Sequence, residues 1–128
     1  IQQFIENIIA DTKIFKFDII YGVFRLIEKD PESFLAWAKE NYACIIFNLR
    51  VNHTEQGTAK AQTDFQRIID RALELGGSYY LTYHRWARKD QVLKAYPQFP
   101  EFLRLKVRYD PEERFQSEWY RYYKNIDW

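Results

Sequence analysis

Ser78-Tyr79-Tyr80-Leu81-Thr82-Tyr83-His84-Arg85-Trp86 is the stretch on which the fold reading turns. It is rich in Tyr, Leu and Thr and follows a Gly76-Gly77 break, which predicts a strand. Its even positions Tyr80, Thr82 and His84 then share one face, and Tyr79, Leu81 and Tyr83 the other. Three phenols, two of which could face a site, one of only two histidines, an arginine and an indole are gathered here. The expectation is a sheet of this strand and two partners, with a greasy face for the core and a polar face over a site.

Upstream, Ala61, Phe65, Ile68, Ile69, Ala72 and Leu73 recur with the helical period. Thr54-Glu55-Gln56-Gly57-Thr58 precedes them as a turn and candidate cap, and Gly76-Gly77 ends the helix. Residues 42–54 read as the clearest strand: Ile45, Phe47, Leu49 and Val51 alternate with Ile46, Asn48, Arg50 and Asn52. A half-exposed strand has this pattern too, but two amides and an arginine make more directional hydrogen bonds than a merely solvated face requires. Residues 15–27 read as a third strand, with Ile20, Gly22, Phe24 and Leu26 opposite Ile19, Tyr21, Val23 and Arg25. Phe4, Ile5, Ile8 and Ile9 predict a short amphipathic helix before it. After it, Pro31 opens a predicted two-turn helix over Phe34, Leu35, Trp37 and Ala38.

Downstream, residues 88–95 predict a short helix stopped by Pro97, and Pro100 starts another carrying Phe102, Leu103 and Val107. Asp110-Pro111 ends it. The tail then mixes Phe115, Trp119, Tyr120, Tyr122, Tyr123 and Trp128 with charges, and that many rings at a terminus call for a packing partner. The predicted order is α-β-α-β-α-β-α-α. Helices between strands usually favour parallel pairing, but a doubly wound sheet needs strands apolar on both faces. The fold class expected is therefore α+β, a small mixed or antiparallel sheet with helices on one face and a helical tail. Residues 1–128 form one domain.

Composition narrows the function classes. A net charge of +1 argues against nucleic acid as the main partner, since phosphate binding needs a basic surplus. Cys44 is the only cysteine, so neither a disulfide framework nor a cysteine-based metal site is expected; in its apolar run it reads as a buried, inert thiol. The two histidines, His53 and His84, lack ligand spacing, and no metal is expected. No apolar run reaches the roughly 18 residues of a membrane span. No leader sequence is recognisable, and the expected location is cytoplasmic. The first residue is Ile1, inside an amphipathic pattern, which reads as a piece of a longer protein.

The segment from Tyr96-Pro97 through Phe102-Leu103 and Asp110-Pro111 to Phe115 and Arg121 resembles the C-terminal signature of FAD-linked oxidases of the vanillyl-alcohol oxidase superfamily. Nearest are the aldonolactone, alditol and decaprenylphosphoryl-ribose oxidases. Ser117 stands where many members carry asparagine. The likeness is firm from about Gly76 onward and looser upstream. It implies a ferredoxin-like cap (substrate) domain whose tail, residues 96–128, packs on an FAD-binding domain of the same protein. None of the four glycines forms a phosphate-binding loop, so FAD would be held mainly by that other domain.

The implied chemistry is oxidation of a sugar, alditol or aldonolactone CH–OH group, which needs a proton acceptor, positive charge near the reduced flavin and groups that hold the substrate. His84 is the first candidate acceptor because imidazole titrates near neutrality; Tyr80 and Tyr83 are the alternatives. By resemblance Tyr80 matches a family tyrosine, and Tyr83 falls where a lysine stands in the decaprenylphosphoryl-ribose branch. His84 reads equally well as a satisfied strand-end histidine. Asn48, Arg50, Asn52 and Arg25 are the candidate substrate ligands, and Arg85, Ser117 and Lys106 the candidate cofactor contacts. The isolated chain is expected to be inactive. The competing reading is a stand-alone α+β binding or dimerisation module, with a second copy meeting the exposed aromatic surface.

Overall fold

The computed structural model describes residues Ile1–Trp128. Its elements are α1 (Gln2–Phe15), β1 (Ile19–Ile27), β2 (Tyr42–Leu49), α2 (Glu55–Glu74), α3 (Lys89–Ala95), α4 (Phe99–Tyr109) and α5 (Glu118–Tyr123). The class is α+β, and its one sheet is an antiparallel pair, β1 against β2.

The third predicted strand does not form. Residues 78–86 run extended and then turn, without a ladder partner. Side chains take the place of a neighbouring strand. The carbonyl of Tyr79 accepts from the Tyr96 hydroxyl, that of Leu81 from Trp119 Nε1 at 3.0 Å, and that of Trp86 from Gln66 Nε2 at 2.7 Å. The buried carbonyls of this segment thus find partners without a sheet.

The helix expected after Pro31 is also absent, and residues 31–40 make turns and bends. The Asp30 carboxylate accepts from the backbone N–H groups of Glu32 and Ser33 at 3.0 and 2.9 Å. This is N-cap geometry with Pro31 at the first position, yet only a turn bond, Ala36 N to the Ser33 carbonyl, follows it and no helical ladder forms. The observed order is accordingly α-β-β-α-α-α-α. The strand expected over residues 42–54 stops at Leu49, which leaves Arg50 and Asn52 outside it. Helix α1 reaches Phe15, so β1 starts only at Ile19.

The core belongs to the second half of the chain. Ile69, Leu73, Tyr79, Leu81, Val92, Tyr96, Phe99 and Tyr123 are buried together, with Trp119, Ile126 and Trp128 packed against them. Helix α2 supplies the long wall. The Thr54 side chain accepts from Gly57 N at 3.1 Å and caps its start. A side chain at position 57 would strike the carbonyl of Asn52, which explains the glycine. Gly76 leaves the helix with φ 73°, in the left-handed region. Asp11 and Arg71 tie α1 to α2 through a bidentate pair at 2.7 and 2.9 Å. No helix is long and apolar enough to cross a membrane.

Candidate functional site

Between the β1–β2 ribbon, α2 and the 76–83 segment lies a cleft of about 610 Å³, within the usual range for small-ligand sites. Its walls are mainly apolar, with Phe47, Phe65, Ile68 and Ile69 prominent. Helical spacing sets the last three on one face of α2, and β2 presents Phe47 from across.

Four rings form a connected row beside the cleft. Trp37 lies 6.4 Å from Tyr42 and 6.0 Å from Tyr80, the latter edge-to-face, and Tyr80 lies 4.8 Å from Tyr83. Such edge-to-face packing orients rings without burying them completely. Tyr80 and Tyr83 remain exposed. Arg25 also lines the cleft. On the ribbon it is paired with Cys44; burial pushes the Cys44 thiol pKa up, and the guanidinium charge opposes that rise. Cys44 therefore stays a protonated thiol at neutral pH.

The structure brings together Tyr80, Tyr83 and Arg25 from the expected set. His84 does not line this cleft. Its ring stacks on Trp86 at 4.5 Å and meets Phe65 edge-to-face at 5.0 Å. Desolvation there lowers its pKa, so the imidazole is neutral at pH 7. Asn48 donates to the Tyr21 hydroxyl at 3.2 Å, its cross-strand neighbour. Arg50 lies 3.9 Å from Asp18, and Asn52 sits in the turn before α2. None of these three lines the cleft.

The largely polar sheet face expected of β2 is less polar than expected, because the strand ends at Leu49 and leaves Arg50 and Asn52 off it. Asn48 shares a face with Tyr21, Val23 and Ile46, so apolar groups interrupt it. The three expected cofactor contacts lie toward the tail. Arg85 donates to the Glu118 carbonyl at 3.3 Å and lies 5.9 Å from the Tyr122 ring. Ser117 caps α5, its hydroxyl accepting from Tyr120 N at 3.1 Å. Lys106 pairs with Asp110 and lies 4.6 Å from the Tyr120 ring.

Trp37, Tyr42 and Cys44 are not among the site residues the sequence singles out. All three line the cleft. The Trp37…Tyr42 spacing straddles a loop, so no periodicity pointed to them. No group of three His, Cys, Asp or Glu side chains comes together as a metal site.

The Asp110 loop is the other constructed feature. The Asp110 carboxylate pairs with Lys106 and accepts from the backbone N–H groups of Phe115 and Arg114, both at 2.9 Å. Those contacts, Lys106 first, hold its pKa down to about 2. The loop so fixed presents Phe115 with 80% of its surface open.

Comparison with known proteins finds no family model, no curated protein and no solved structure that matches this chain.

Proposed function

We propose that the chain is the substrate-side cap of an FAD-dependent oxidoreductase that oxidises a CH–OH group of a sugar, alditol or aldonolactone. The observation that carries this reading is the Asp110 loop. Three contacts to one carboxylate hold a turn whose product is an uncovered phenyl ring. Rigid presentation of an exposed aromatic suits docking on another domain. The residues of the resemblance supply that loop: Asp110, Pro111 and Phe115.

The residues at the cleft fit the ring side of a flavin, with an aromatic row and one guanidinium. When bound, the flavin would accept the hydride that leaves the substrate carbon. The chain's own part is to bind and orient the substrate. Tyr80 and Tyr83 offer hydroxyls at the open end of the row, within reach of an alcohol. Arg25 supplies positive charge toward a developing anion. His84 stands outside the cleft, so acceptance of the hydroxyl proton falls to Tyr80 or Tyr83, the phenols of the expected set that line it.

The test is anaerobic stopped-flow reduction of the flavoprotein that contains this chain, against a panel of alditols, sugars and aldonolactones. Bleaching by at least one of them is expected, slowed 10-fold or more by Tyr83→Phe. A flavin left oxidised by the whole panel sinks the reading. The second reading is a binding module without catalysis, favoured by the apolar walls of the cleft. Under it, an apolar ligand binds the isolated chain and Tyr80→Ala weakens that binding.

A further inference from the structure

Strand β1 is the least covered element of the molecule. Its interior sequence, Ile20-Tyr21-Gly22-Val23-Phe24-Arg25-Leu26, has no proline and one charge. Ile20, Tyr21, Val23, Phe24 and Leu26 are all exposed, Phe24 by 60% and Leu26 by 89%. Both faces of the strand are involved, because these residues alternate in side. Beyond the ladder with β2, no other part of the chain hydrogen-bonds a backbone group of residues 20–27. Edge strands are ordinarily blunted by proline, a bulge or several charges. Here the one irregularity lies at the β1 entrance, between Ile19 and Tyr21, and the rest of the edge is open.

We propose that β1 pairs antiparallel with β1 of a second copy, joining two ribbons into a four-stranded sheet about a two-fold axis at Phe24. The occupant follows from how the strand complements itself. Centred there, Phe24 meets Phe24, Leu26 meets the side-chain-free Gly22, Val23 meets Arg25 and Tyr21 meets Ile27. No like charges face each other within the strand. A two-fold centred at Arg25 would set guanidinium against guanidinium, which excludes that register. The chain's net charge of +1 opposes association only weakly.

Area sets the strength. Even at ~200 Å² per residue, a value for aromatic rings, the five side chains expose at most on the order of 600 Å², and edge-to-edge pairing covers only part of it. That falls short of the roughly 800 Å² per partner of a standard stable interface. The dimer is therefore a weak one, with dissociation in the micromolar range or above. This interface is separate from the Asp110 loop and does not depend on the flavin reading.

Sedimentation of the 128-residue chain from about 1 µM to 1 mM tests it. A monomer–dimer equilibrium is expected, weakened at least 10-fold by Phe24→Lys with an unchanged circular dichroism spectrum. Register is read by cysteine cross-linking in a Cys44→Ala background. Phe24→Cys forms a disulfide-linked dimer, and Leu26→Cys does not. A monomer at every concentration, open-ended aggregation, a dimer indifferent to Phe24→Lys, or cross-linking through Leu26→Cys instead overturns the proposal.

Discussion

The ribbon and the helical second half follow opposite rules of burial. Phe99 is fully buried, with the rings of Trp119, Tyr123 and Trp128 at 5.5, 5.4 and 4.7 Å. Not one residue of β1 or β2 is buried, although both strands are as apolar as any core segment. Hydrophobic character is thus a poor guide to where a core lies; the number of layers an element is packed between decides it. Helices α2 to α5 close on one another and need no partner. A two-stranded ribbon with a single helical layer leaves much of its apolar surface in water.

The contrast predicts unequal responses to the same kind of truncation. Phe99→Ala removes the hub of the ring cluster and should cost about 3–5 kcal/mol in urea unfolding. A loss under 1 kcal/mol would mean the tail does not pack as described. Asp11→Asn breaks the bidentate link from α1 to α2. Asp11 is buried, but Arg71 stays partly solvated, so the cost should be about 1–2 kcal/mol.

The same site sets an acid limb. Hydrogen bonds from Arg71 hold the Asp11 pKa below its ordinary value. Its contribution is complete above the unfolded value near 4 and fades as pH falls through the lower folded value. Stability measured from pH 5 down to pH 2 should therefore fall less steeply in Asp11→Asn than in the parent.

Tyr96→Phe deletes the hydroxyl that donates to the Tyr79 carbonyl, for about 1 kcal/mol. Smallest of all, Leu26→Ser in the dilute monomer should stay within about 0.5 kcal/mol. A larger loss would show that the ribbon is covered in solution after all.

Much of this was legible in the residues. Helix α2, its Thr54 cap and its Gly76 stop follow from periodicity and turn chemistry, and the ribbon follows from alternation. What failed was long-range. Residues 78–86 have strand composition, but whether a strand forms depends on a partner edge, and Tyr96, Trp119 and Gln66 fill that place instead. The site was legible only in part for the same reason. Tyr80 and Tyr83 were singled out with Arg25, which joins them through the ribbon's register. Asn48 alternated as expected, yet its cross-strand neighbour Tyr21 takes its amide. Trp37 and Tyr42 come from a loop and a strand end, where no period applies.

The side-chain bracing of residues 78–86 has a kinetic corollary. Its three anchoring bonds span 17, 38 and 20 positions along the chain. The segment that carries Tyr80, Tyr83 and His84 can therefore take its final shape only after α2, Tyr96 and α5 have converged on it. Substitutions within it should speed unfolding and leave the refolding rate almost unchanged.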